Sequence, residues 1–368
     1  MTRVLVAPQE FKGSLTAAEA AQAIAAGLRR AQPGWTLDLL PMSDGGPGFI
    51  EAMAAATPGE LATCKAHDAL GRPRSARYLI VDDPRTAVLE AAQANGLVLI
   101  PERERDVLSA GTAGVGEIIA AALSQHPSRL TIGVGGSATN DGGAGMAQAL
   151  GARLSDEAGR QLPPGAAALE RLARIDWQRP QALFEVEVVV ATDVTNPLLG
   201  PNGASAVYGP QKGATAAQID QLEAALTRYA AVVRRSLGGD IATLPGGGAA
   251  GGLAAGLVAF LGARIESGFD VVAEVSGLAQ RLAAAAIVVT GEGSFDGQSM
   301  QGKTTGRLLA LARDAARPCI VLAGRGTPVA GVELRDLAEL EPDGRAAMRD
   351  AAALLEELTY RQFATESG

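Results

Sequence analysis

Lysine is scarce in this chain, and its placement points to chemistry. Of 32 basic residues only four are lysines: Lys12, Lys65, Lys212 and Lys303. Three adjoin glycine, in Phe11-Lys12-Gly13-Ser14, Gln211-Lys212-Gly213 and Gly302-Lys303-Thr304. A compact ammonium beside bare backbone N–H groups suits phosphate, although each lysine alone could sit in an ordinary surface turn. Glycine-rich turns recur in PMSDGGPG, GVGGSATNDGGAG, ATDVTNPLLGPNG, LPGGGAAGG and TGEGSFDG. Four of them carry carboxylates: Asp44, Asp141, Asp193, and the pair Glu292 and Asp296. Lysines directed at phosphate, with carboxylates on glycine turns, are the mixture that Mg2+–nucleotide chemistry requires. Mg2+ takes one or two carboxylates and leaves the rest of its shell to water and phosphate oxygens. Taken singly, each carboxylate could equally serve a turn or a helix cap.

Two regular motifs compete with this reading. Gly297-Gln298-Ser299-Met300-Gln301-Gly302-Lys303-Thr304 fits the phosphate-loop pattern G-x-x-x-x-G-K-[ST]. In a true P-loop the first Gly follows its strand directly and an acidic residue comes later on another strand. Here residues 291–296 intervene after AIVVT, and no suitable acid follows Lys303. The phosphate reading of Lys303 is kept and the P-loop fold is not. Residues 133–138 fit the dinucleotide fingerprint G-x-G-x-x-A, with Asp156 downstream, but residues 139–143 prolong the loop before any helix. A G-x-S-x-G elbow is missing. His67 and His126 are the only histidines and have no metal-like spacing. A general base therefore falls to a carboxylate. Asp193 is the candidate, since it ends an apolar run beside Asn196-Pro197; the alternative is that it merely fixes that turn.

The elements that must position these groups follow from composition and pattern. At 368 residues the chain is long for one core, and two domains are expected. Apolar residues make up 47% and charged residues 20%, a globular balance. A net charge of −8 without a basic stripe argues against nucleic acid as the main partner. Cys64 and Cys319 stand outside any C-x-x-C, which suits a reducing compartment. The opening MTRVLVAP does not read as a signal peptide. The uncharged run 241–263 is Gly and Ala around a Pro, so a glycine-rich turn into a buried helix is expected there, not a membrane span. Together these predict a soluble, cytoplasmic protein.

RVLVA, TLDLL, ARYLIVDD, TAVLEAA, RLTIGVGG, EVEVVVATD, AIVVT and PCIVLAG read as strands. Turns are expected at Ala69-Leu70-Gly71-Arg72 and Asp83-Pro84. Helices are expected in SLTAAEAAQAIAAGLRRA, capped by Ser14 or Thr16, in AGVGEIIAAALSQ, from near Gly142, in TAAQIDQLEAALTRYAAVVRRSLG, and from Gly302. Alternating strands and helices predict an α/β fold with ligands outside the carboxyl ends of the strands. One Rossmann/flavodoxin-like domain is expected from residues 1–62 and 268–368, with residues 63–267 inserted as a second α/β domain.

APQEFKGSLTA, PMSDGG, GVGGSATNDGGAGMAQALGA, TDVTNPLLG with YGPQKGA, GGGAAGGLAAGLVAFLGA and TGEGSFDGQSMQGKT together resemble, in order, the bacterial glycerate kinase family of the glycerate 2-kinase type. The resemblance runs from about Val4 to Gly324. It implies a two-domain α/β kinase that uses ATP and Mg2+ to convert D-glycerate to 2-phosphoglycerate in an interdomain cleft. Carried over residue by residue, it implies roles for Lys12, Ser14, Asp44, Gly45, Gly46, Ser137, Asn140, Asp141, Asp193, Lys212, Glu292, Asp296 and Lys303. In that scheme Asp193 takes the substrate proton, Lys12 and Lys303 neutralise the phosphoryl group, and Asp44, Glu292 or Asp296 hold Mg2+. Three departures stand out: Gln9-Glu10 where the family often has Asp-Ser, Pro47 where it usually has Glu, and Gly297 for a common Ser. The alternatives are a kinase for another small hydroxy acid, a 3-phosphoglycerate-forming enzyme, or a non-catalytic small-molecule sensor. Oligomeric state stays open.

Overall fold

Short runs of β-branched and apolar residues supply the strands. In a computed structural model describing residues 1–82, 85–300 and 302–364 they are, in chain order, β1 (Arg3–Val6), β2 (Thr36–Leu39), β3 (Glu60–His67), β4 (Pro73–Asp82), β5 (Arg85–Glu90) and β6 (Arg129–Gly133). There follow β7 (Arg153–Ser155), β8 (Arg174–Asp176), β9 (Glu187–Ala191), β10 (Arg264–Glu266), β11 (Ile287–Phe295), β12 (Cys319–Gly326) and β13 (Glu333–Asp336). The expected turn at Asp83-Pro84 lies outside the described residues. Helices alternate with most of these strands, so the fold is α/β.

The chain divides into two compact units. The first comprises Met1–Asp44, Glu51–Thr57 and Phe269–Gly368; the second comprises Gly45–Ile50 and Pro58–Gly268.

In the first unit the sheet runs β13-β12-β11-β1-β2, parallel throughout. Counted within the unit this is the order 2-1-3-4-5, a doubly wound flavodoxin-like sheet whose direction of winding reverses between β1 and β11. Side chains alternate along the strands. Val4, Val6, Val289, Ile320 and Leu322 face the helix Ala17–Ala31 and the C-terminal helix Ala351–Phe363, while Val321 and Ala323 join Phe295 in a second cluster. Thr16, not Ser14, caps the first helix, in a reciprocal capping box with Glu19.

In the second unit the sheet order is β10-β9-β6-β5-β4-β3. Strands β10, β9, β6 and β5 are parallel, and β4 and β3 are antiparallel additions. The amphipathic helix Ala216–Leu237 begins at a Thr215–Gln218 capping box and ends at left-handed Gly238. It buries Leu226, Tyr229 and Val233 in the core beside Leu257 and Phe260 of the helix Leu253–Leu261. That second helix is the one expected after the glycine run. Among the described residues no helix is long and apolar enough to cross a membrane.

Gly45 shows why glycine stands on the acidic turns. Its φ is +90°, and a Cβ there would lie 2.1 Å from the Ala191 carbonyl oxygen at the end of β9. Gly45→Ala is expected to destabilise the protein by at least ~2 kcal/mol, combining left-handed strain with the clash. A urea unfolding curve checks it, and an unchanged midpoint would contradict the packing described.

Candidate active site

The carboxyl end of β1 leads straight into the lysine motif. Past Val6 the chain stays beside β11, with the Ala7 N–H donating to Val289 O and the Gln9 N–H to Gly291 O, both at 2.8 Å. Phe11 is buried and anchors the turn. Gly293 then lets the two segments touch, since a Cβ there would stand 3.0 Å from the Lys12 amide nitrogen. Lys12 is exposed as a result and lies beside the residue that follows Glu292. The Ser14 hydroxyl donates to the Phe11 carbonyl at 2.9 Å, which fixes the turn. Burial raises the Glu10 carboxyl above its ordinary range, neighbouring Asp44 raises it further, and Lys12 opposes both. Asp44, Glu10 and Lys12 thus form one charged group.

Glu292, Asp296 and Lys303 form a second group in the same unit. Glu292 is 9% exposed, and its Oε1 is buried with no hydrogen-bond partner among the described residues. Burial raises its carboxyl. The Thr305 and Ser299 hydroxyls and Lys303 pull it down, and Asp296 adds to the rise. Asp296 Oδ1 accepts from the Gln298 and Ser299 amides, at 2.8 and 3.2 Å. Lys303 is exposed at the N-cap of the helix Thr304–Asp314, where backbone N–H groups favour anions.

The loop here differs from the sequence reading in one respect. Residues 291–295 belong to β11, paired with β12 through Glu292↔Ala323, Ser294↔Arg325 and Phe295↔Gly326, so only Asp296 separates the strand from Gly297. The glycines mimicked a loop, yet they sit where neighbouring backbone comes too close for a side chain: a Cβ at Gly291 would meet Leu322 O at 2.1 Å. The P-loop is still excluded. Two of the loop amides are held by Asp296 rather than left open for phosphate, and around Gly297 a Cβ would meet nothing within 4 Å. Gln301 lies outside the described residues.

The donor set fits a small hard cation with a partial protein shell. Among the described residues no three His, Cys, Asp or Glu side chains cluster as a complete metal cage. Mg2+ does not need one, because one or two carboxylates suffice when phosphate oxygens and water complete the shell. Glu292, with its orphaned buried oxygen and Asp296 within electrostatic reach, meets that requirement. Asp44 lies within electrostatic reach of Glu10, which stands two residues before Lys12 in the chain.

The second unit gathers the remaining candidates at the carboxyl ends of β6, β9 and β10. Strand β9 stops at Ala191, so half-buried Asp193 lies just beyond it. Its Oδ1 accepts a 2.7 Å hydrogen bond from Ser267, which follows β10. The loop after β6 lines a small cavity of about 80 Å³ with Gly135, Gly136 and Ser137, closed by Val194, Tyr208 and Lys212. Gly45 and Gly46 back this loop: the Gly135 amide donates to Gly45 O at 3.0 Å, and a Cβ on Gly135 would lie 2.3 Å from Gly46 Cα. Lys212 is 2% exposed and donates from Nζ to the Thr139 carbonyl at 2.5 Å. Burial pushes its ammonium down to about 7, against the pull of Asp141.

Asn140 and Asp141 are fully buried. Asn140 Nδ2 donates to Ser205 Oγ at 3.1 Å. Asp141 Oδ2 accepts from the Thr112 amide and hydroxyl and the Gly145 amide, at 2.9, 2.9 and 3.0 Å, and its Oδ1 from the Gly143 amide at 3.2 Å. Burial raises the Asp141 carboxyl and these donors oppose the rise. Both residues shape the loop that carries Ser137. Sequence reasoning missed Ser267, Tyr208, Ser299, Thr305 and Glu10. Ser299 and Thr305 stood inside the motif TGEGSFDGQSMQGKTT, but Ser267 follows a strand too short to recognise.

Lysines and carboxylates at the carboxyl edge of a parallel sheet define the class, an α/β enzyme of the phosphate-transferring kind. A model of the glycerate kinase family matches residues 4–365, and the chain belongs to that family. It is 43% identical over 331 residues to the glycerate 2-kinase of Escherichia coli K12, covering 90% of this chain and 87% of that one. It is 42% identical over 325 residues to a glycerate kinase of Halalkalibacterium halodurans, covering 88% and 86%. A crystal structure from Salmonella typhimurium LT2, assigned as a glycerate kinase 2, is similar over 99% of this chain and 97% of its own, with 40% identity and a TM-score of 0.83.

The depressed Lys212 has a sign that can be checked. Between about 7 and its ordinary value of 10.5 the unfolded chain binds a proton that the folded protein does not. Stability therefore rises with pH across that window. Comparing unfolding midpoints from pH 7 to 10, the wild type should gain stability relative to Lys212→Met. A constant difference would show that Lys212 is not held neutral.

Proposed function

We propose that the protein phosphorylates D-glycerate with ATP and Mg2+, giving 2-phosphoglycerate. The observation that carries this reading is the contact between the segment after β1 and the end of β11, which sets the Lys12 backbone against Gly293, the residue after Glu292, at the reversal of the sheet. Family membership supports the reaction class, and the name of the Escherichia coli relative supports the 2-position.

Phosphoryl transfer is chiefly a matter of positioning and charge stabilisation. Lys12 and Lys303 are exposed ammonium groups that neutralise phosphate oxygens as charge moves to the leaving group. Glu292 and Asp296 would hold Mg2+, whose charge offsets that of the phosphates. Asp193 accepts the proton of the attacking hydroxyl. The Ser267 hydroxyl orients it by occupying one carboxylate oxygen, the same logic by which a second group aims a catalytic base. Ser137 and Lys212, facing one cavity, hold the hydroxy acid: a buried ammonium suits a carboxylate, and an anion bound there favours its charged form. Asn140, Asp141, Gly45 and Gly46 give that cavity its shape, and Ser14 does the same for the Lys12 turn.

A coupled assay offering ATP with glycerate, tartronate and lactate tests the reading. Glycerate should be the turned-over acceptor, with 2-phosphoglycerate identified by phosphorus NMR; absence of ADP formation with every acid would contradict it. Lys303→Ala and Asp193→Asn should each lower kcat by about 10²-fold or more. Near-native rates would remove those residues from the chemistry.

A further inference from the structure

The first unit holds a cavity of about 230 Å³ that no motif announced. Its walls come from Phe11 after β1 and from the C-terminal segment, with Leu337, Pro342, Ala347, Met348 and Ala351. Gly293 and Gly324, near the ends of β11 and β12, form its floor. It therefore lies at the carboxyl edge of the sheet, on the β1/β11 reversal where doubly wound folds bind their ligands.

Two cations, Lys12 and Arg325, and one carboxylate, Glu341, reach its lining. Both cations are exposed, and among the described residues Arg325 is in no ion pair. Met348, 51% exposed, presents a polarisable thioether at the rim. The lining thus joins an apolar slot to a mouth where the two cations outnumber the one carboxylate. The volume is below the roughly 300–1,000 Å³ of pockets that bury a whole drug-sized ligand, enough for a flat heterocycle and too little for a nucleoside triphosphate.

Resting on the kinase reading above, we infer that this cavity takes the base of the nucleotide, with its phosphates leaving past Lys12 toward Lys303 and Glu292. Residues 337–351, which carry no motif, then supply one wall of the nucleotide site.

The test uses the full-length protein and titration calorimetry with ADP and, separately, inorganic tripolyphosphate. Ala338 is exposed on the rim, so Ala338→Trp fills the slot without entering the core. It should weaken ADP by about tenfold or more, with a parallel rise in the KM for ATP, and leave tripolyphosphate affinity unchanged. Met348→Ala trims a half-exposed side chain at the rim and should weaken ADP by a smaller factor in the same direction. Unchanged ADP affinity in both variants, or equal loss of ADP and tripolyphosphate, would overturn the assignment. ADP binding that responds to Ala338→Trp without any turnover of glycerate would refute the kinase reading and leave the cavity assigned.

Discussion

The first unit depends on the reversal of its sheet between β1 and β11. The chain leaves one strand for one face and the other strand for the opposite face, so a crevice opens at their carboxyl ends without any loop being excavated. What fills that crevice is set by backbone proximity. Gly291 and Gly293 remove the side chains that would keep neighbouring segments apart, and the Lys12 turn settles against β11. The Lys12 backbone then lies against Gly293, the residue after buried Glu292, whose carboxylate feels the charge of Lys303.

The second unit solves a harder electrostatic problem. A carboxylate and an ammonium taken out of water are tolerated only when their polar atoms find partners. Asp141 has four donors, three of them backbone amides, and Lys212 has the Thr139 carbonyl. These contacts rigidify the loop after β6 from beneath, and the same loop presents Ser137 to the cavity. The division is physical: Asp141 holds the backbone, and Ser137 and Lys212 line the cavity.

Much of this was legible in the residues, for identifiable reasons. Glycine-flanked lysines marked Lys12 and Lys303 because exposed backbone and a compact cation carry a local signature. Periodicity and a Thr-x-x-Gln capping box marked the helix Ala216–Leu237. Strands β10 and β13 were not legible, being three or four residues long and mostly polar. GEGSF at the end of β11 passed for a loop because glycine carries no strand pattern, although its pairing partner was simply another glycine-bearing strand. The amide donors around Asp141 were not legible either, because side-chain type does not tell whether a carboxylate faces a cavity or backbone N–H groups. The apolar wall around Met348 is built of Ala, Leu and Pro, which are the commonest materials of any core.

The central claim is that the nucleotide belongs to the first unit, on the β1/β11 reversal. A crystal structure of the protein with ADP tests it most directly. The account predicts the base between Phe11 and Met348 and the diphosphate against Lys12. A nucleotide seated instead on residues 133–138 of the second unit, along the G-x-G-x-x-A loop, would contradict it.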